Sequence, residues 1–146
     1  MYNPPTFLTP ELVTEVLSER TWPAPFTLDD DRPDGIEVRL PRCHLYISEG
    51  FESDMSLRFL ADSTGLDRTV SVGEALFALR NDPSRTLPPD PPLINMFAPG
   101  ASEEKVRNEL RDQLTLLFTF FRSSIDGDFD WIPSYRAMIA RRNSVV

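Results

Sequence analysis

Apolar positions along the first 60 residues follow first a helical and then a strand period. Leu12, Val13, Val16 and Leu17 recur at i, i+1, i+4 and i+5, one face of a helix with about 3.6 residues per turn. Thr9-Pro10-Glu11 precedes them and supplies an N-cap hydroxyl, a proline at the first helical position and an acid in the first turn. Pro23 and Pro25 stop this helix. The period then shortens to two. Ile36, Val38 and Leu40 alternate with Glu37 and Arg39, Cys43, Leu45 and Ile47 with His44, Tyr46 and Ser48, and Met55, Leu57 and Phe59 form a third run. The apolar phase changes from even to odd across Pro41-Arg42, which places a turn or bulge there. Residues 49–54 join the second and third runs, so a hairpin with an acidic tip is expected.

Helical signals return later. Ser71-Val72-Gly73-Glu74 has capping-box spacing before Ala75-Leu76-Phe77-Ala78-Leu79, predicting a short helix that ends near Asn81. Ser102-Glu103-Glu104 opens a long stripe through Val106, Leu110, Leu114, Leu117, Phe118, Phe121 and Ile125, widened by Leu116 and Phe120. Leu114 and Phe118 are expected at the centre of the core, and Gly127 ends the helix. Trp131, Tyr135, Met138 and Ile139 predict a final short helix from about Pro133. Six of the 14 prolines fall between positions 83 and 99, excluding helix and central strand there. This connection is read as ordered and partly extended, with Leu93, Ile94, Met96 and Phe97 covering the long apolar helix. The fold class that follows is α+β: a small antiparallel sheet of about three strands packed against helices, with a long C-terminal apolar helix.

Composition narrows the function classes. The 146 residues, 40% hydrophobic and 26% charged, read as one globular domain over 1–146. A net charge of −8 argues against nucleic acid, which is bound by clustered Lys and Arg. No apolar run approaches a membrane span and no basic-then-apolar leader is legible, so no membrane association is expected. Cys43, the sole cysteine, has no internal disulfide partner, and the expected compartment is the cytoplasm. The cations are 14 arginines and one lysine, Lys105, which points to a GC-rich, bacterial coding sequence. The charge is also unevenly placed: residues 1–67 carry the whole net −8, and residues 68–146 sum to zero.

Cys43 and His44 are neighbours in a strand, where successive side chains face opposite ways, so they do not form a thiolate–imidazole pair. Asp126-Gly127-Asp128-Phe129-Asp130 alternates acids, but its glycine stands second and Ala137 falls where a calcium loop needs glutamate. Phosphate-cradling, nucleophile-elbow and zinc-protease motifs are missing. Neither a catalytic residue, a cofactor nor a metal ligand is therefore assigned. The reading is a non-catalytic protein-binding domain, an acidic immunity protein that neutralises a cognate toxin carrying a basic surface. One alternative is a secretion chaperone holding an effector, whose topology the early α-β-β-β-α order resembles; another is a small enzyme using His44 and carboxylates. The expected partner surface is the hairpin tip, with Phe51 ringed by Glu49, Glu52 and Asp54 and extended by Asp29, Asp30 and Asp31. The Leu114–Phe121 face is expected to be buried under the proline-rich cover, which favours a monomer over a homodimer; its exposure would reverse the preference.

Overall fold

A computed structural model describes residues 7–32, 34–94 and 99–144. Three hydroxyls cap helices where the sequence places them. Thr9 Oγ1 accepts from Leu12 N at 3.2 Å and starts α1 (Pro10–Leu17); Ser71 accepts from Glu74 N at 3.0 Å and starts α3 (Val72–Arg80). Ser102 accepts from Lys105 N at 3.0 Å and starts α4 (Glu103–Phe120). Each satisfies one backbone N–H that a helix start leaves without a partner. The short α2 (Ala61–Thr64) lies between the sheet and α3, and α5 (Arg122–Ile125) and α6 (Ile132–Ser144) follow α4.

The sheet is an antiparallel meander of five strands in chain order: β1 (Thr27–Asp29), β2 (Gly35–Arg39), β3 (His44–Glu49), β4 (Met55–Phe59) and β5 (Val70–Ser71). The three central strands are those expected, and the turn at Pro41-Arg42 closes with Leu40 N donating to Cys43 O at 3.0 Å. The edge strands β1 and β5 are additional. Each has three residues or fewer, too short for a hydrophobic period to register, and pairing to a neighbour makes them strands.

Register sorts the side chains into two faces. Ile36 pairs with Ile47, Val38 with Leu45, and Leu45 with Phe59, so these residues share the face that meets the helices. Here α4 crosses β4, flanked by α1 and α3, with α6 packed on α3. The core joins Leu45, Ile47, Leu57 and Phe59 to Val13, Val16 and Leu17 of α1 and to Leu110, Leu114 and Leu117 of α4. At about 1.5–3 kcal/mol for each large apolar side chain fully buried, this layer dominates stability. Ion pairs from α1 and the turn after it to α4, Glu15–Arg107 at 2.5 Å and Glu19–Arg111 at 2.7 Å, add at most about 1 kcal/mol each.

Three expectations for the helical half are corrected. The long apolar helix is not C-terminal: α4 stops at Phe120, and thirteen-residue α6 closes the described chain. Phe121 leaves the helix at φ −130° and ψ 27°, which turns its ring into the core against Phe59 at 5.5 Å. Phe129 and Trp131 join the same aromatic cluster, with Trp131 5.1 Å from Phe59 and Tyr135 beyond it at 5.9 Å. Phe118 does not centre the core. It is half-buried at the margin, edge-on to Trp22 at 4.9 Å and under the Arg20 guanidinium at 4.8 Å.

The proline-rich connection does not cover α4 as expected. Leu93 is 40% and Ile94 65% exposed, while Met96 and Phe97 lie outside the described residues. Leu114 and Leu117 are buried nonetheless, by the sheet and the flanking helices. Polar ties hold the described part of the connection: Arg80 to Asp90 at 2.6 Å, Arg85 to Ser134 Oγ at 3.2 Å, and Ile94 N to Asp112 Oδ1 at 2.6 Å.

Candidate functional site at the acidic end of the sheet

Antiparallel order brings two loops to one end of the sheet. Gly35 begins β2 opposite Ser48, one residue from the end of β3. The β1–β2 loop at 30–34 and the β3–β4 tip at 50–54 therefore leave the sheet on the same side. A groove of about 390 Å³ runs from the first loop to Glu49 at the end of β3, lined by Leu8, Pro10 and Ile36 and by Asp30, Arg32, Asp34 and Glu49. Sequence spacing alone does not relate the two acidic segments; strand order does.

The expected contact residues divide sharply by what they touch. Glu49 is held inside the fold, its Oε1 accepting from Phe7 N at 2.8 Å and Leu8 N at 2.9 Å and its Oε2 from Ser53 Oγ at 2.8 Å. It fastens the chain entering α1 to the hairpin. Asp54 pairs with Lys105 Nζ at 2.9 Å. Asp29 ends β1, where it lies 3.8 Å from Arg39 and caps the loop by accepting from Asp31 N at 3.0 Å. Asp30, Asp31 and Glu52 make no side-chain ion pair among the described residues and face solvent. Phe51 is 76% exposed, the most exposed large apolar side chain described.

The tip that carries Phe51 is strained and braced. Residues 51–53 form a single 3-10 turn in which Glu52 (φ 54°) and Ser53 (φ 60°) adopt left-handed conformations without being glycine. Such residues persist where their surroundings over-determine them. Lys105 supplies the brace. From the first turn of α4 its buried ammonium donates to Glu52 O at 2.5 Å, Asp54 Oδ1 at 2.9 Å and Gly100 O at 3.0 Å, using all three N–H groups. Glu109 Oε2 stands 3.4 Å from the same nitrogen without hydrogen-bond geometry, and Glu109 Oε1 accepts from Met55 N at 3.3 Å. Burial depresses the Lys105 pKa, but Asp54 and Glu109 outweigh it and hold the ammonium above its ordinary value. Burial pushes the Glu109 carboxyl up, against the Met55 amide and the lysine charge. Sequence reading assigned Lys105 no role. Its one signal was a lone lysine among 14 arginines, at a position where a compact cation points three donors at three separate oxygens.

The solvent-side face of the sheet holds a second polar constellation. Tyr46 lies over Gly35, where an added Cβ would stand 2.7 Å from the tyrosine oxygen, so only glycine fits beneath the ring. The phenol donates to Asp34 and Arg32 stacks on the ring at 5.3 Å; burial, then Asp34, raises the Tyr46 pKa to about 12. Beside it, Arg39 Nε donates to Glu37 Oε2 at 2.7 Å, and His44 Nδ1 lies 3.0 Å from Asp62 Oδ2. Donor atoms of Glu37, His44 and Asp62 lie within 4.8 Å of one another, the one such group among the described residues. Sequence reading missed it because the three residues come from β2, β3 and α2. Cys43 faces the core instead, and burial raises its thiol to about 12, which leaves it a poor nucleophile.

The Asp126–Asp130 loop has a packing explanation. Phe129 packs edge-on to Phe59 and Trp131, and Asp126, Asp128 and Asp130 on either side of it face solvent. Gly127 adopts φ 93° and passes close to Arg42, so this glycine serves a turn.

The architecture is thus a two-layer α+β domain, helices on one face of an antiparallel sheet and a polar face on the other. No helix among the described residues is long and apolar enough to cross a membrane. Comparison with protein families, characterised proteins and solved structures finds no match to this chain.

Proposed function

We propose that this chain is a non-catalytic binding domain that captures a basic protein surface through the acidic end of its sheet, in the manner of a bacterial immunity protein that occupies a toxin. The observation that carries the reading is Phe51, held out into solvent on a strained tip that Lys105 braces from below. An exposed aromatic on a rigid support offers a partner pocket contact area at little cost in ordering. The exposed carboxylates of Glu52, Asp30 and Asp31, without ion pairs among the described residues, lie at the same end of the sheet and would steer a cationic partner toward it. Two further features support a binding role over the alternatives. The thiol of Cys43 is buried and raised, which counts against nucleophilic chemistry. The Leu114–Leu117 face is occupied within the chain, which counts against an apolar surface offered to an extended client and favours a monomer.

The test is surface plasmon resonance against the product of the adjacent reading frame, at low and moderate salt. Reversing Asp30, Asp31 and Glu52 to Lys should slow association and flatten its salt dependence. Glu49 and Asp54 are spared, because reversing them would break the hairpin. Phe51→Ala should speed dissociation and lose about 1–3 kcal/mol of affinity. Unchanged kinetics in both variants would remove this end of the sheet from the interface.

A further inference from the structure

We propose that Glu37, His44 and Asp62 form a binding site for a divalent transition-metal ion of the zinc class on the solvent-side face of the sheet. One imidazole and two carboxylates are a ligand set suited to zinc, with water completing the coordination. The three come from separate elements, β2, β3 and the first turn of α2, and their donor atoms converge within 4.8 Å. In a tetrahedral zinc site with bonds of about 2.0–2.1 Å, neighbouring donors lie about 3.3 Å apart. His44 Nδ1 and Asp62 Oδ2 stand at 3.0 Å as a hydrogen-bonded pair, close to the ligand spacing, and the ion would take the place of the Nδ1 proton released to solvent. The Asp62 side chain is 57% exposed and free to adjust, whereas Glu37, 4% exposed, forms a fixed wall.

Charge and supporting contacts agree with a cation. Asp29, Glu37 and Asp62 surround a single guanidinium, that of Arg39, leaving the cluster two negative charges in excess when His44 is neutral. Arg39 occupies Glu37 Oε2 alone. The other oxygen, Oε1, has no hydrogen bond among the described residues, so one carboxylate can be oriented by the arginine and still ligate. The backbone around the site is held independently of the ion, since His44 N donates to Ser63 Oγ at 3.1 Å and Leu60 N to His44 O at 2.9 Å. The ion would therefore enter a site whose backbone is already in place, with the Asp62 side chain closing on it.

The experiment is calorimetric titration of tag-free, chelator-treated full chain with zinc chloride, with the visible spectrum of the cobalt(II) form as a second reading. One equivalent should bind, with cobalt bands of a four-coordinate nitrogen–oxygen site, and excess magnesium should not compete. His44→Gln and Asp62→Asn should each weaken zinc at least about tenfold and abolish the cobalt bands, with circular dichroism unchanged. Asp126→Asn with Asp128→Asn should alter neither reading. Absence of stoichiometric binding by the native chain, or binding that survives His44→Gln undiminished, overturns the proposal.

Discussion

Replacing Lys105 by methionine keeps the apolar stem and removes one charge with three donors. Four groups lose a partner: Glu52 O, Gly100 O, Asp54 Oδ1 and the Glu109 carboxylate 3.4 Å away. The Asp54 side chain is largely exposed and rehydrates, so that pair contributes under about 1 kcal/mol. The two carbonyls lie at loop ends and recover part of their hydration, leaving a net loss of about 1 kcal/mol for the pair. Glu109 is the costly partner. A buried carboxylate stripped of its cation costs about 3–5 kcal/mol, a ceiling lowered here because a group whose pKa burial already raises can take up a proton. The expected loss is about 3 kcal/mol at pH 7, read from urea unfolding monitored by fluorescence of Trp22 and Trp131. The sign of the pH dependence follows from the raised carboxyl. A protonated Glu109 no longer needs the cation, so the loss is full well above its folded pKa and shrinks as pH falls through that value. Adding Glu109→Gln, which keeps an acceptor for Met55 N, should restore most of the stability at pH 7. A loss below about 0.5 kcal/mol, or no recovery in the double variant, would refute the bracing role.

Further outcomes follow from the same packing. Phe121→Ala should cost about 3–5 kcal/mol in urea unfolding, and Phe118→Ala about 1–2 kcal/mol, because only the first ring is fully enclosed. Asp82 joins the end of α3 to α6 through Ser134 Oγ at 2.6 Å, and that bond, then Ser84, lowers its pKa to about 2. Its contribution is present above the ordinary carboxylate value of 3.8 and is lost as pH falls toward about 2. Ser134→Ala should therefore narrow the stability difference from the native chain across that window, as measured by thermal melts at stepped pH. Gly35→Ala should displace the Tyr46 ring and lower the melting temperature, whereas Gly50→Ala, whose Cβ would meet only Asp54 O at an ordinary 3.6 Å, should change it little.

Local rules made much of the fold legible. Hydroxyl–backbone distances along the chain are short and set by adjacent residues, so Thr9, Ser71 and Ser102 announce their helices. Alternation announces a strand wherever one face is buried over five residues or more, as in β2, β3 and β4. The α+β class follows from the order of those elements. Other features depended on partners distant in sequence. Phe121 satisfies the helical period yet leaves the helix, because its ring gains the aromatic cluster built by Phe59 and Trp131. Acids that look equivalent in composition are divided by contacts 41 to 51 residues away: the Glu49 carboxylate is taken by the segment entering α1, that of Asp54 by Lys105, and that of Glu52 by neither. The Glu37–His44–Asp62 group exists only after β2, β3 and α2 have met. Periodicity and capping depend on neighbours within a helical turn or a strand, and net charge on composition alone, so residue order carries all three. The tertiary structure decided which charges remain free and which side chains converge, because desolvation and pairing act through space between segments that the chain order keeps apart.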